Sequence, residues 1–149
     1  DFIQARWGND YVWAGNGNDT VYGNSGNDWL YGEAGDDKVY GDVGNDSVLG
    51  GYGNDTLSGG YGDDYLFGHD GHDVLNGDAG NDDLRGGNGN DFLFGSDGAD
   101  RLSGDAGNDR LYGGNGNDYL HGGDHYDELF GGDGWDTLAW SLGGDRYYQ

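Results

Sequence analysis

The chain has 149 residues, 29 of them acidic and 6 basic, for a formal charge of −23, with 36 glycines and no proline, cysteine or methionine. That charge disfavours nucleic acid and acidic membranes as partners and favours cations. The missing cysteine excludes disulfides and thiol nucleophiles, and no apolar run approaches the roughly 18 residues of a membrane span.

One domain, residues 1–149, is expected at this length. The start in mid-register without methionine suggests a piece of a longer chain, and no stretch resembles a signal peptide. Stepping by nine from Asp1 meets an aspartate at every landing as far as Asp145. Two residues beyond each landing stands an apolar side chain: Ile3, Val12, Val21, then Leu30 and its successors to Leu138, with Tyr147 last. Such a fixed period marks a repeat architecture.

In a unit numbered so that the aspartate is sixth, position four is glycine from Gly8 to Gly143, broken by His125. Position one is glycine from Gly23 to Gly131, with Ala5 and Ala14 before and Trp140 after. Position two alternates glycine with Asn24, Asp42, His69, Asp78, Ser96 and Asp105, several of them residues that tolerate left-handed backbone. Position five is mostly Asn or Asp. The first six positions therefore carry turn chemistry, and the last three, as in Thr20-Val21-Tyr22, strand chemistry.

A three-residue strand cannot stand alone. If two units make one coil of eighteen residues, odd and even units stack into two opposed parallel sheets. The aliphatics then meet in a thin core, while positions seven and nine face outward. The expected fold is all-β, a solenoid of about eight coils at roughly 4.8 Å spacing. A flexible linker would not hold this register. Residues 14–134 form the regular repeats. Residues 1–13 read as an N-terminal cap and first coil, with bulk at Phe2, Ile3 and Trp7. Residues 135–149 read as a C-terminal cap carrying Trp135, Trp140, Leu142, Tyr147 and Tyr148, since solenoids need atypical ends.

With one obligatory aliphatic per nine residues, many glycines and strong self-repulsion, the chain on its own has the composition of a disordered polyanion. Something must bind the carboxylates for it to fold. Calcium takes six to eight oxygen ligands in forgiving geometry, from carboxylates and backbone carbonyls. Stacking brings aspartates eighteen apart close together, and a cation between rungs turns repulsion into a clamp. The candidate metal ligands are Asp10, Asp19, Asp28, Asp37, Asp46, Asp55, Asp64, Asp73, Asp82, Asp91, Asp100, Asp109, Asp118, Asp127 and Asp136. Allowing for frayed ends, roughly a dozen Ca2+ ions would fit between the rungs.

Gly86-Gly87-Asn88-Gly89-Asn90-Asp91-Phe92-Leu93-Phe94 resembles the nonapeptide G-G-x-G-x-D-x-U-x of the RTX (repeats-in-toxin, hemolysin-type calcium-binding) family at every fixed position. The resemblance covers essentially the whole chain. It implies a right-handed parallel β-roll, with calcium held between loops by the sixth-position aspartates and loop carbonyls. It further implies export from Gram-negative bacteria by a type I system with an uncleaved C-terminal signal, hence an extracellular place, and folding only where calcium is plentiful. Departures at His125-Tyr126 before Asp127, and at Trp140-Ser141-Leu142 before Asp145, put those loops in doubt as full sites. Asp1 has no loop before it.

The outward positions are rich in aromatics: Tyr11, Trp13, Trp29, Tyr31, Tyr65, Phe67 and Tyr119 on one sheet, Tyr22, Tyr40, Phe92, Phe94, Tyr112 and Phe130 on the other. Cross-strand stacking that stiffens a thin slab accounts for them; contact with a glycan or an adjacent domain of a parent exoprotein is the alternative. Arg85 and Arg101, one coil apart, offer a modest polyanion site. Position three lacks the threonine ladder an ice-binding face would want. His69, His72, His121 and His125 occupy four different unit positions and form no evident transition-metal cluster. No nucleophile elbow or EF-hand spacing occurs, so no enzyme is expected. The unbroken register also permits a consensus-like designed solenoid.

Overall fold

The computed structural model describes residues 1–139 and 144–148. Strands follow one another at nine-residue steps, from β1 (Phe2–Trp7), β2 (Tyr11–Asn16) and β3 (Thr20–Ser25) to β15 (Glu128–Asp133), β16 (Thr137–Ala139) and β17 (Arg146–Tyr148). Odd strands form one nine-stranded sheet and even strands one eight-stranded sheet. Every pairing is parallel and offset by eighteen residues, as in Val21↔Val39 and Leu66↔Leu84. Among the described residues there is no helix. The result is a parallel β-roll, a solenoid of about eight coils.

Strand pairing runs further than the strand chemistry predicts. From β1 to β15 each strand is six residues long, from position seven through position three of the next unit. The chain crosses position two in left-handed backbone without leaving the ladder. Its φ is 72° at Asn24, 75° at Asp42 and 72° at Asp78, and the same region holds Arg6, Glu33 and His69. Position four lies beyond the left-handed well, at φ 138° for Gly26 and 153° for Gly71, where a Cβ is not tolerated. His125, which stands there in place of glycine, relaxes to 85°.

The core is one row of aliphatics from each sheet. Val21 through Leu129 are buried at every rung, whereas Ile3, Val12, Leu138 and Tyr147 are only partly buried at the two ends. Trp7 is 89% exposed and Trp135 90%. The expected cap residues Trp140 and Leu142 lie outside the described residues.

Candidate metal centres

Each loop aspartate turns its carboxylate inward. Asp19 through Asp127, at nine-residue steps, are at most 3% exposed, about as buried as the leucines two residues on. Such burial demands partners, and three of the four polar groups on each aspartate have them. The backbone N–H of Asp10 donates to Oδ1 of Asp28 at 2.8 Å, that of Asp28 to Asp46 at 2.7 Å, and that of Asp46 to Asp64 at 2.7 Å. The other column does the same, from Asp19 with Asp37 to Asp109 with Asp127, both at 2.8 Å. Each aspartate carbonyl accepts the N–H nineteen residues on, as in Trp29 to Asp10 at 2.8 Å.

The fourth group is orphaned. Oδ2 of Asp10, Asp19, Asp28 and every further column aspartate to Asp127 is buried with no hydrogen-bond partner. It lies against the α-carbon of the position-one glycine of its own unit and faces the position-one carbonyl of the next coil. A Cβ placed on Gly23 would sit 2.5 Å from Asp28 Oδ2 and 2.7 Å from the Gly41 carbonyl oxygen. The same two oxygens flank every such glycine from Gly32 to Gly113. Position-four carbonyls also point along the axis, Gly8 onto Gly26 and Gly53 onto Gly71.

Two acceptors facing one small space without a donor call for a cation or a proton. The cost shows in the acidities. Burial, with like charges adding and the backbone hydrogen bond to Oδ1 opposing, pushes Asp55, Asp73 and Asp109 up to about 7. The same causes push Asp46, Asp64, Asp82, Asp91, Asp100 and Asp127 up to about 6. Asp28, Asp37 and Asp118 also rise above the ordinary carboxylate value. Among the described residues no three His, Asp or Glu side chains gather on one point. A metal here would be held by carboxylate and backbone oxygen together, a hard-oxygen donor set that suits calcium and lacks the nitrogen and sulfur ligands typical of zinc sites. The residues present fit that ion.

A scan of family models agrees. The RTX calcium-binding nonapeptide repeat matches residues 1–21, 13–48, 49–84, 76–111, 85–120 and 112–147. The chain belongs to this family. No curated protein matches it at a significant level. RTX repeats bind calcium, and the β-roll with its orphaned carboxylates is the framework of such a calcium-binding module.

The suspect loops divide. Asp127 keeps the geometry of its RTX neighbours despite His125 and Tyr126, being 1% exposed with Oδ2 unpartnered. Asp136 accepts the Asp118 N–H at 3.0 Å. Asp145 differs, because its Oδ2 accepts the Tyr147 hydroxyl at 3.1 Å; the Trp140-Ser141-Leu142 loop before it lies outside the described residues. At Asp1 the terminal ammonium donates to Asp19 Oδ1.

Sequence reasoning missed the second ladder, on the outer side of the turns. Position-five amide and carboxylate oxygens accept the position-five N–H of the next coil, as Asn9 from Asn27 at 2.9 Å and Asn18 from Asp36 at 3.0 Å. His72 takes an asparagine's place, its Nδ1 accepting from Asn90 at 2.8 Å, while His69 packs its ring on Phe67 at 3.8 Å. The recurrence of Asn and Asp at position five was the available signal. Arg85 and Arg101 do line one small groove of about 290 Å3, but in company with Asp83 and Asp105; Arg85 lies 3.7 Å from Asp83 and Arg101 5.2 Å over the Tyr119 ring. A groove of about 970 Å3 runs along the odd sheet past Asp42, Ser58, Asp78 and Ser96, and none of the column aspartates lines it. Its Asp78 already accepts from Ser58 and Asn76, both at 2.6 Å.

Proposed function

We propose that this RTX chain is a structural module whose folding is driven by calcium, within a larger secreted bacterial protein. Asp10 through Asp136, at nine-residue steps, hold roughly a dozen ions with the help of loop carbonyls. The ion supplies positive charge where buried acceptors face one another, and so removes the penalty that raises the aspartate acidities. Without it the chain returns to a disordered polyanion, which suits export in the unfolded state and ordering outside the cell. The module does no chemistry of its own.

The observation that carries this reading is the row of unpartnered Oδ2 atoms. Circular dichroism during a calcium titration from a chelated start tests it. The spectrum should pass cooperatively from coil to β as binding is coupled to folding. Magnesium should substitute poorly, because it demands stricter octahedral geometry. A β-rich spectrum before any calcium is added at neutral pH would refute it.

A further inference from the structure

The charge of −23 is not spread over the surface. On the sheet faces, the residues flanking each inward aliphatic include five of the six bases (Lys38, Arg85, Arg101, Arg110 and Arg146) but only Asp83 and Glu128 among the acids. All other acids stand at positions two to six of the unit. Position-two acids border these faces, Asp78 accepting from Ser58 and Asp105 from Ser103, and the two faces differ from each other.

On the odd sheet the rings satisfy one another. Phe94, Tyr112, Phe130 and Tyr148 stack coil on coil at 4.6–5.0 Å with interplanar angles of 4–8°, and Tyr22 stacks on Tyr40 at 4.9 Å. Tyr112 and Phe130 are thereby covered on both ring faces. The first four coils of the even sheet do the opposite. Tyr11, Trp13, Trp29, Tyr31, Tyr65 and Phe67, with Ser47 and Leu49 completing the grid, include no charged residue; Glu33 and His69 border them at position two of the same sheet. Tyr11 pairs with Trp29 and Trp13 with Tyr31 in strand register, yet their rings do not stack across coils. Ring contacts run instead within a strand, Tyr11 to Trp13 at 6.3 Å, and from Tyr31 to His69 at 6.1 Å. Tyr11 stays 71% exposed, Trp13 59% and Trp29 45%. No hydroxyl of Tyr11, Tyr31 or Tyr65 and no indole N–H of Trp13 or Trp29 bonds within the described residues.

We infer that this even-sheet face, from Tyr11 to Phe67, is a docking surface for an uncharged polysaccharide. Open ring faces take the C–H faces of sugar rings, and the unpartnered hydroxyl and indole donors meet sugar hydroxyls. A purely apolar protein surface would bury those donors dry. A charged polymer finds no counter-charge on the grid. The rungs repeat at roughly 4.8 Å along the axis, giving an extended chain a regular series of platforms. The face uses none of the column aspartates, so it can fail or succeed independently of the metal reading.

Affinity electrophoresis of the full calcium-loaded chain tests this, in gels containing hydroxyethylcellulose, galactomannan, xyloglucan, dextran or, as the anionic probe, polygalacturonate. At least one neutral polymer should retard the protein. Trp13→Ala/Trp29→Ala should weaken retention at least tenfold, whereas Phe94→Ala/Tyr112→Ala, on the stacked ladder, should leave it unchanged. Trp13→Ala alone, at the edge coil where folding is least at risk, should weaken it part-way; circular dichroism verifies folding of each variant. No retardation by any neutral polymer, equal loss in both double variants, or retention by polygalacturonate alone would overturn the inference. A dimer in sedimentation that Trp13→Ala/Trp29→Ala dissolves would overturn it too, by giving the face to a second copy.

Discussion

The inner loops and the first two loops share an aspartate column but not its surroundings. From Gly23 to Gly131 position one is glycine, and wherever the next coil is described a Cβ there would meet both Oδ2 and the next coil's carbonyl. At Ala5 and Ala14 a methyl stands at that position. On the proposed reading the aspartate alone would not make the site: the space beside it matters too, and glycine at position one leaves that space free of a Cβ. Asp10 and Asp19 are therefore the column members expected to hold calcium least well, although their Oδ2 atoms are orphaned like the rest.

The largest effect should come from breaking three inner rungs of one column. Asp64→Asn/Asp82→Asn/Asp100→Asn should raise the calcium concentration needed for half-folding by about tenfold or more, because metal affinity is folding free energy here. The same three changes in the chelated chain should favour the folded state slightly, since they remove charges that are costly to bury. Circular dichroism read with and without calcium separates the two directions.

Acidity comes next. In the metal-free fold the column aspartates hold their protons up to about 6 or 7, well above their value in the unfolded chain. Between roughly pH 4 and 7 the folded state then binds more protons than the unfolded one, so stability falls as pH rises. The chelated chain should gain β signal on acidification from pH 8 to pH 4. With calcium present the sign reverses, because protons compete for the same Oδ2 atoms, and the calcium midpoint should climb as pH drops from 7 to 5. Titrations at three pH values show whether the two trends cross.

The position-one contrast can be swapped directly. Gly59→Ala puts a methyl against Asp64 Oδ2 and the Gly77 carbonyl oxygen and should cost the chain one bound ion. Ala14→Gly should do the reverse at Asp19. It gains calcium while losing about 0.5–1 kcal/mol of metal-independent stability to the freer glycine backbone. Equilibrium dialysis counts the ions, and equal counts in both variants would remove the distinction between inner and first loops. The smallest effect belongs to the outer ladder. Asn54→Ala deletes the acceptor of the His72 N–H at an exposed site, costs about 0.5–1 kcal/mol and should leave the ion count alone.

Much of this was legible in the nine-residue period. Asp82 and Leu84 recur in step with Asp64 and Leu66, which sets the inward row, the carboxylate column and the division into two sheets. Other features depend on what the period does not encode. Glu33 and Arg6 are not residues that announce left-handed backbone, yet both adopt it inside a continuous ladder, so six-residue strands read as three. The position-five ladder crosses between coils and is invisible until eighteen-residue neighbours are superposed. The two aromatic faces have similar residue types but different ring packing. Tyr112 is sandwiched between Phe94 and Phe130, while Trp29 does not stack on its register partner Tyr11, and only side-chain geometry separates them.

The central claim is that cations between coils, and not the slender aliphatic core, hold this roll together. Thermal melting of one sample at pH 7.5, in calcium and again after excess EDTA, tests that most directly. A cooperative transition that vanishes with EDTA, leaving a coil spectrum at every temperature, is the predicted result. A melting curve that EDTA does not move would contradict it.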